Sequence, residues 1–598
     1  MEEKYISDSK RISSYKSSSS FFESLVLLFF VFLFSYLVYK LVAYETLNIS
    51  LKSAEEVKKF ILNPLNFGNK TLPQGFNLLT LFLAPAVMMI IGVAAVFRAG
   101  SFKVKHPYSG VEQGSARFAI IPKEVKPLID EAEGGKPYYY NKNNIIFTKN
   151  VGLSLNTRKT FRNNNVLVIG GSGTGKTRYF VKPNLLQAHS SYIVTDPKGE
   201  ISREVGYFLR QAGFRVRIFD LIDMEYSSKY NPFNYFIKGE DDVIALVETI
   251  VQSVYQGKQQ SSDAFWEKAE VLLLSAIMSY IFTELPKGDR NIATVMDILR
   301  ESSDFAVLDT MFAEVTARKP DAYCSRLWDS FKVVREAGKT LSSILITATT
   351  TLQVWNQERV RRLMMEDTVE LDKLGDEPTA LFIVIPDSTK VYNFIAAMMY
   401  KQLFTTLYYK ADKLYNGPLP MHVRFILDEF PNIGKISDFE QILSTVRSRN
   451  ISCSIIIQNT AQLKDMYSDK GQDAWENVAG NCSTILYLGG REYQTMEYIS
   501  KLLGKATIDV KDESLSKGKE TSKSESVKKQ SRELLFPDEV GRIKPNQAIV
   551  VVQNSFPFLD YKFELKEHPN YMHTAEVNGK MFTTKERLRE EVKYLLFS

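Results

Sequence analysis

The chain has 598 residues, 44% of them apolar and 24% charged, with a net charge of +6. That length exceeds what one hydrophobic core serves, and the composition excludes a disordered or fibrous protein. Three dispersed cysteines (Cys324, Cys453, Cys482) and five scattered histidines give no disulfide framework and no zinc site, and so mild a charge permits an anionic partner without specifying one.

Residues 1–20 are polar and serine-rich, with Lys4, Lys10, Arg11 and Lys16, and read as an N-terminal tail. The run 21–43 is uncharged apart from Glu23 near its start and Lys40 near its end, long enough for a transmembrane helix. No small-residue cleavage pattern follows it, which favours an anchor over a cleaved signal. A loop, 44–75, leads to a second uncharged run, 76–97, in which Pro85 is a tolerable kink. Two spans put both ends of the chain on one side. Cations before the first span, and Arg98, Lys103 and Lys105 after the second, favour the inside, whereas four lysines in the intervening loop oppose it. The nucleotide motif downstream decides the side, because ATP is cytoplasmic. The expectation is a two-helix membrane hairpin, an extracytoplasmic loop at 44–75, and a multi-pass protein of the cytoplasmic membrane with its bulk inside.

From about residue 106 the pattern becomes α/β. Short Val/Ile/Leu-rich runs at 166–169, 192–195, 216–219, 381–385, 423–427, 454–457, 484–488 and 548–552 alternate with helical stretches, which predicts a mainly parallel sheet covered on both faces. The interval from about 239 to 369 is helix-periodic nearly throughout and reads as an all-helical insertion. Residues 511–532 are charged, serine-rich and poor in apolar side chains, and read as a mobile loop. The strand at 548–552 shows the fold resuming after it, and 566–598 reads as a C-terminal tail.

The chemistry begins at Gly170-Gly171-Ser172-Gly173-Thr174-Gly175-Lys176-Thr177, which fits the phosphate-cradling loop G-x-x-x-x-G-K-[ST]. The glycines free backbone N–H groups to converge on phosphate oxygens, Lys176 reaches the β/γ-phosphates, and the Thr177 hydroxyl can ligate Mg²⁺. A buried strand at 166–169 precedes the loop and a helix follows it, so the helix N-terminus faces the anion. Downstream, the apolar strand 423–427 ends in Asp428-Glu429. Asp428 is placed for the metal and Glu429 to polarise the attacking water, a division that suffices for in-line phosphoryl transfer. The strand 454–457 ends in Gln458, placed either to bond the attacking water or γ-phosphate or simply to make a turn. Arg447 and Arg449 between these strands are surface charges or, in an oligomer, a neighbour's arginine finger. Asp196-Pro197-Lys198-Gly199 fits the GTPase signature D-x-x-G, but the chain holds no N-K-x-D, which favours ATP; Asp196 is then a strand-end residue lining the site, with a Mg²⁺ or coupling role open to it.

With these parts in place, the chain resembles the TraG-like coupling proteins of conjugative and type IV secretion systems over roughly residues 105–560. The resemblance includes Gly114-Ser115-Ala116-Arg117-Phe118, Asp196-Pro197-Lys198-Gly199-Glu200, Leu427-Asp428-Glu429-Phe430, Gln458 with Ala461-Gln462-Leu463, and Asn481-Cys482 leading to Leu488-Gly489. It implies a membrane-anchored, RecA-like ATPase working as a homo-hexamer. The nucleotide-binding domain would then be split into 106–284 and 346–565 by an all-α domain at 285–345 that faces the relaxosome. It also implies that Gln458 senses the γ-phosphate and that Arg447 is the likelier finger than Arg449. Expected partners are a relaxase, single-stranded DNA and the type IV secretion channel. An FtsK-like double-stranded DNA pump would want a longer linker and a winged-helix terminus; a recruitment platform with little ATPase activity would not need intact Lys176, Thr177, Asp428 and Glu429.

Overall fold

The fold was read from a computed structural model, which describes residues 33, 36, 40, 44, 53–63 and 110–585, save 256–263, 303–304, 338–343, 346–347, 351, 388, 390, 470–471 and 518–520. The chain divides into two units, Met1–Gln113 and Gly114–Ser598. In the first, a helix at Ala54–Leu62 starts at Ser53, whose side chain accepts the Glu56 N–H, and carries Glu55 and Glu56 in its first turn, where the helix dipole favours them. The two apolar runs at 21–43 and 76–97 lie, isolated residues apart, outside the described residues. Among the described residues no helix is long and apolar enough to cross a membrane.

The second unit is built on one nine-stranded sheet. In chain order its strands are β3 (Val166–Ile169), β4 (Ser191–Asp196), β5 (Arg215–Asp220), β6 (Thr379–Val384), β7 (Val423–Leu427), β8 (Ile451–Ile457), β11 (Thr484–Tyr487), β14 (Gln547–Val552) and β15 (Phe558–Tyr561). Two small ladders sit beside it: β1 (Asn144–Ile146) with β2 (Gly152–Ser154), and β9 (Ser468–Asp469) with β10 (Gln472–Asp473). The spatial order is β15-β14-β11-β3-β8-β7-β4-β6-β5. From β11 to β5 all neighbours are parallel, and β14 and β15 close the other edge antiparallel. Every run predicted as a strand is in this sheet. Their continuous apolar character has a direct cause: Leu167 and Ile169 of β3 enter one core while Val166 and Val168 enter the other, so neither face can be polar.

One face is covered by the helix after β3 and by Glu200–Gln211, through Phe180, Leu185, Val205 and Leu209. The other receives the helical interval: Glu240–Tyr255, Ala264–Glu284, Ile292–Glu301, Ala306–Arg318, Tyr323–Ala337 and Glu358–Met365. Helix Glu240–Tyr255 packs on Asn393–Tyr409, and Tyr323–Ala337 packs on Ala264–Glu284. These helices share one continuous core with the sheet face, and Trp328 and Trp355 are fully buried in it.

Two expectations change. The stretch 511–532, read as a mobile loop, belongs to an antiparallel hairpin of β12 (Lys505–Lys517) and β13 (Thr521–Glu533), paired from Lys505↔Glu533 to Lys517↔Thr521. Its polarity hid it, since a strand is recognised in sequence by an alternating or continuous apolar run and this stretch has neither. The base is pinned instead by backbone: Ala116 donates to the Lys505 carbonyl at 2.9 Å and Thr507 to the Gly114 carbonyl at 3.0 Å. Gly114 sits at φ +151, and a Cβ there would lie 2.2 Å from the Lys505 oxygen, so only glycine permits the approach. The segment read as a tail from 566 is also folded as far as residue 585. Phe582 is buried against Gly206, where a Cβ would come within 2.6 Å of its ring, and its ring meets Tyr207 edge-on.

Candidate functional site

In parallel strands the C-terminal ends share one edge of the sheet, and here that edge carries the loop 170–177 after β3, Asp196 ending β4, Asp428-Glu429 after β7 and Gln458 after β8. Residues 29 to 253 positions apart in sequence thereby meet at the crevice where such sheets bind ligands.

The loop is held from both neighbouring strands. Gly170 donates to the Ile457 carbonyl at 3.1 Å and Gly171 to the Gly489 carbonyl at 2.9 Å. Thr174 closes the turn through its N–H and hydroxyl, both donated to the Gly171 carbonyl. Gly175 adopts φ +83, and a Cβ there would strike the Tyr179 ring at 2.5 Å. Thr177–Val181 forms a π-helical turn before the helix Lys182–Leu186, an irregularity found often at functional sites. The N–H groups of Gly173, Gly175, Lys176 and Thr177 find no acceptor among the described residues. A nest of free N–H groups at a helix start fits a phosphate chain.

Lys176 is buried, and its ammonium lies 3.3 Å from Glu429 Oε1. Gln458 Nε2 donates to Glu429 Oε2 at 3.1 Å. The Gln458 N–H is in turn bound by Gln462 Oε1 at 2.8 Å, which fixes the strand end. Glu429 has φ +47, a left-handed backbone that non-glycine residues adopt at a cost. Strain of this kind clusters at functional sites. Asp428 is 3% exposed; its Oδ2 accepts the Thr177 hydroxyl at 2.9 Å and its Oδ1 the Glu429 N–H at 3.1 Å. Burial pushes its carboxyl up to about 6, against the pull of the Thr177 bond, with the Glu429 charge adding to the rise and Lys176 opposing it. A buried carboxylate beside a hydroxyl, with no cation bonded to it among the described residues, is the oxygen donor set a hard divalent cation takes.

The structure thus brings together Lys176, Thr177, Asp428, Glu429 and Gln458 with the whole glycine loop. Asp196 lines the same edge, but both its oxygens are taken by the N–H groups of Ile201 and Ser202, so it caps the helix Glu200–Gln211. Arg447 and Arg449 are not at the site. They precede β8, at the opposite end of a strand of roughly 23 Å. Arg449 makes two bonds to Asp412, at 2.7 and 2.9 Å, and its guanidinium lies 4.1 Å from the Tyr408 ring centroid. Arg447 is exposed and donates one bond to the Thr157 carbonyl. Sequence reading missed Lys562, whose ammonium donates to the Thr174 carbonyl at 3.0 Å; a single lysine 388 positions downstream carries no local signal. Gln462, quoted only within the stretch 461–463, was given no role there, although its i+4 spacing from Gln458 was the available clue.

Comparison with known proteins follows the same outline. The profile of the family described as type IV secretory system conjugative DNA transfer matches residues 127–577. The conjugal transfer protein TraG of Escherichia coli is 26% identical over 400 residues, 63% of this chain and 61% of that protein. The coupling protein VirD4 of Bartonella henselae is 22% identical over 407 residues, 66% of this chain and 62% of that one. The chain therefore spans about three fifths of the length of the curated relatives it matches. Among solved structures, the plasmid coupling protein TrwB with the ATP analogue ADPNP superposes with a TM-score of 0.54 at 16% identity, covering 75% of this chain and 93% of that one. TrwB with ADP and Mg²⁺ gives 0.53.

Proposed function

Because the chain belongs to the family of type IV secretory system conjugative DNA transfer proteins, we propose that it is a coupling ATPase that presents single-stranded DNA and its attached relaxase to a type IV secretion channel. The observation that carries this reading is the convergence of Lys176, Thr177, Asp428, Glu429 and Gln458 on one sheet edge. TrwB binds ADPNP, and ADP with Mg²⁺, in its solved complexes, and the donors here suit both nucleotide and metal. Thr177 and Asp428 would hold Mg²⁺, which would supply charge neutralisation at the phosphate oxygens.

The remaining work falls to this chain's own residues. Free N–H groups of the loop and the Lys176 ammonium bind the β- and γ-phosphates. In doing so Lys176 exchanges Glu429 for phosphate, leaving the Glu429 carboxylate to take a proton from the attacking water. Gln458, already bonded to Glu429, keeps that carboxylate aimed and is the group whose partner changes when the γ-phosphate leaves. Arg447 serves a neighbouring subunit of a hexamer, since its own nucleotide lies at the far end of β8, while Arg449 is committed to Asp412. The helical interval, 285–345 above all, faces the relaxosome. The apolar runs at 21–43 and 76–97 anchor the chain in the cytoplasmic membrane.

The test is Lys176→Ala in the full-length chain. The reading expects MgATP binding to fall below detection and transfer from a donor cell to stop. Retained binding at wild-type affinity would overturn the assignment of this loop.

A further inference from the structure

Lys562 follows β15 and is 5% exposed. Its ammonium has two neighbours of note, the Thr174 carbonyl oxygen at 3.0 Å and the Tyr179 ring, whose centroid is 5.3 Å away. It forms no ion pair with a carboxylate among the described residues. Burial shifts its proton affinity downward, as expected of an ammonium taken out of water without a counter-ion. Such an arrangement costs stability, and departures of this kind from good packing are expected at functional sites. Lys182, on the helix that follows the loop, is paired with Glu204, and Arg178 with Glu576. Among the described residues, Lys562 is the buried cation at the loop with no such partner.

Its bond has a directional consequence. In a trans peptide the carbonyl and the following N–H point to opposite sides. Drawing the Thr174 carbonyl toward Lys562 therefore turns the Gly175 N–H the other way. That N–H is one of those left without a protein acceptor, and the left-handed φ of Gly175 is what lets the peptide take this orientation.

We propose that Lys562 is a positioning residue of the phosphate site: it orients the Thr174–Gly175 peptide toward the polyphosphate and holds in reserve a positive charge that the bound polyphosphate balances. This rests on the reading of the loop as an ATP site. A mere strut tying the end of β15 to the loop would make the opposite prediction for the empty protein, because deleting a strut destabilises it whether or not nucleotide is bound.

The experiment compares the full-length wild type with Lys562→Met and Lys562→Arg, measuring melting temperature without nucleotide, MgATP affinity by calorimetry, and KM and kcat. The expected result for Lys562→Met is an unchanged or higher melting temperature without nucleotide and MgATP binding weaker by about tenfold, the worth of one hydrogen bond to a charged group. KM should rise by more than kcat falls, and Lys562→Arg should recover part of the affinity. Unchanged MgATP affinity in Lys562→Met would overturn the assignment while leaving the ATP site intact. So would a nucleotide-free protein that melts lower or does not fold, because removing an unpaired ammonium should do neither. A wild type that binds no MgATP would overturn the site reading and this assignment together.

Discussion

Asp428→Asn separates stability from function at one atom. The Asp428 carboxyl is displaced from 3.8 to about 6, chiefly by burial, which penalises its charged form in the empty protein by about 3 kcal/mol at about 1.4 kcal/mol per pH unit. The sign follows from linkage. Between the two values the folded chain binds more protons than the unfolded one, so stability falls as pH rises through that window and the full penalty stands above it. Asn keeps the shape without the charge. At pH 8 the nucleotide-free variant should therefore be more stable by up to about 3 kcal/mol, or about 3 °C in melting temperature for a folded unit of this size. The gain should shrink as pH falls from 6 toward 4. Thermal melts of the full-length protein at several pH values, without nucleotide or Mg²⁺, read this directly. MgATP should stabilise the wild type and fail to stabilise the variant. A variant that melts lower than wild type at pH 8 would refute the reasoning, since Asp428 would then be a net stabiliser through its bonds to Thr177 and Glu429.

The other predictions concern the oligomer, the membrane and the hairpin. Arg447→Ala should bind MgATP normally and hydrolyse it slower by about 10³-fold or more, the scale of arginine fingers measured in GTPases. Mixing it with Glu429→Gln subunits should restore part of the turnover; no rescue with co-assembly confirmed would exclude action in trans, and a normal rate in Arg447→Ala alone would move the role to Arg449 or abolish it. A reporter inserted within residues 50–70 should appear on the extracytoplasmic side and one fused at Ser598 inside, and both on one side would mean that one of the runs 21–43 and 76–97 is not a span. Gly114→Val places a Cβ within 2.2 Å of the Lys505 oxygen and should cost about 2–3 kcal/mol, with proteolysis of the hairpin base as the readout; wild-type resistance would contradict the pairing.

The parts of this fold legible in sequence are those whose cause is local. A strand buried on both faces must be apolar throughout, so β3, β7 and β8 announced themselves. A phosphate loop needs its glycines, lysine and threonine in succession, and the acids after β7 needed only a strand end to stand on. The hairpin β12–β13 was illegible because the bonds that hold its base join residues some 390 positions apart: Thr507 donates its N–H and its hydroxyl to the Gly114 carbonyl, and Ala116 its N–H to the Lys505 carbonyl. The same holds for Lys562, which meets Thr174 only because β14 and β15 turn antiparallel and bring the end of the chain back beside the loop. Arg447 was singled out by its place in the order of motifs, yet order along the chain could not reveal that it lies at the opposite end of β8 from Gln458.

The central claim is that this sheet edge hydrolyses ATP and that the hydrolysis drives transfer. Glu429→Gln tests it most directly, because it removes the proposed base while keeping the shape and the neighbours Lys176 and Gln458. The full-length variant should bind MgATP at least as tightly as wild type, lose turnover by at least about a hundredfold, the lower end of what a general base contributes, and fail to restore transfer in a donor lacking the wild-type protein. Hydrolysis at the wild-type rate would contradict the assignment of the base, and transfer at the wild-type frequency without hydrolysis would contradict the claim that this site powers it.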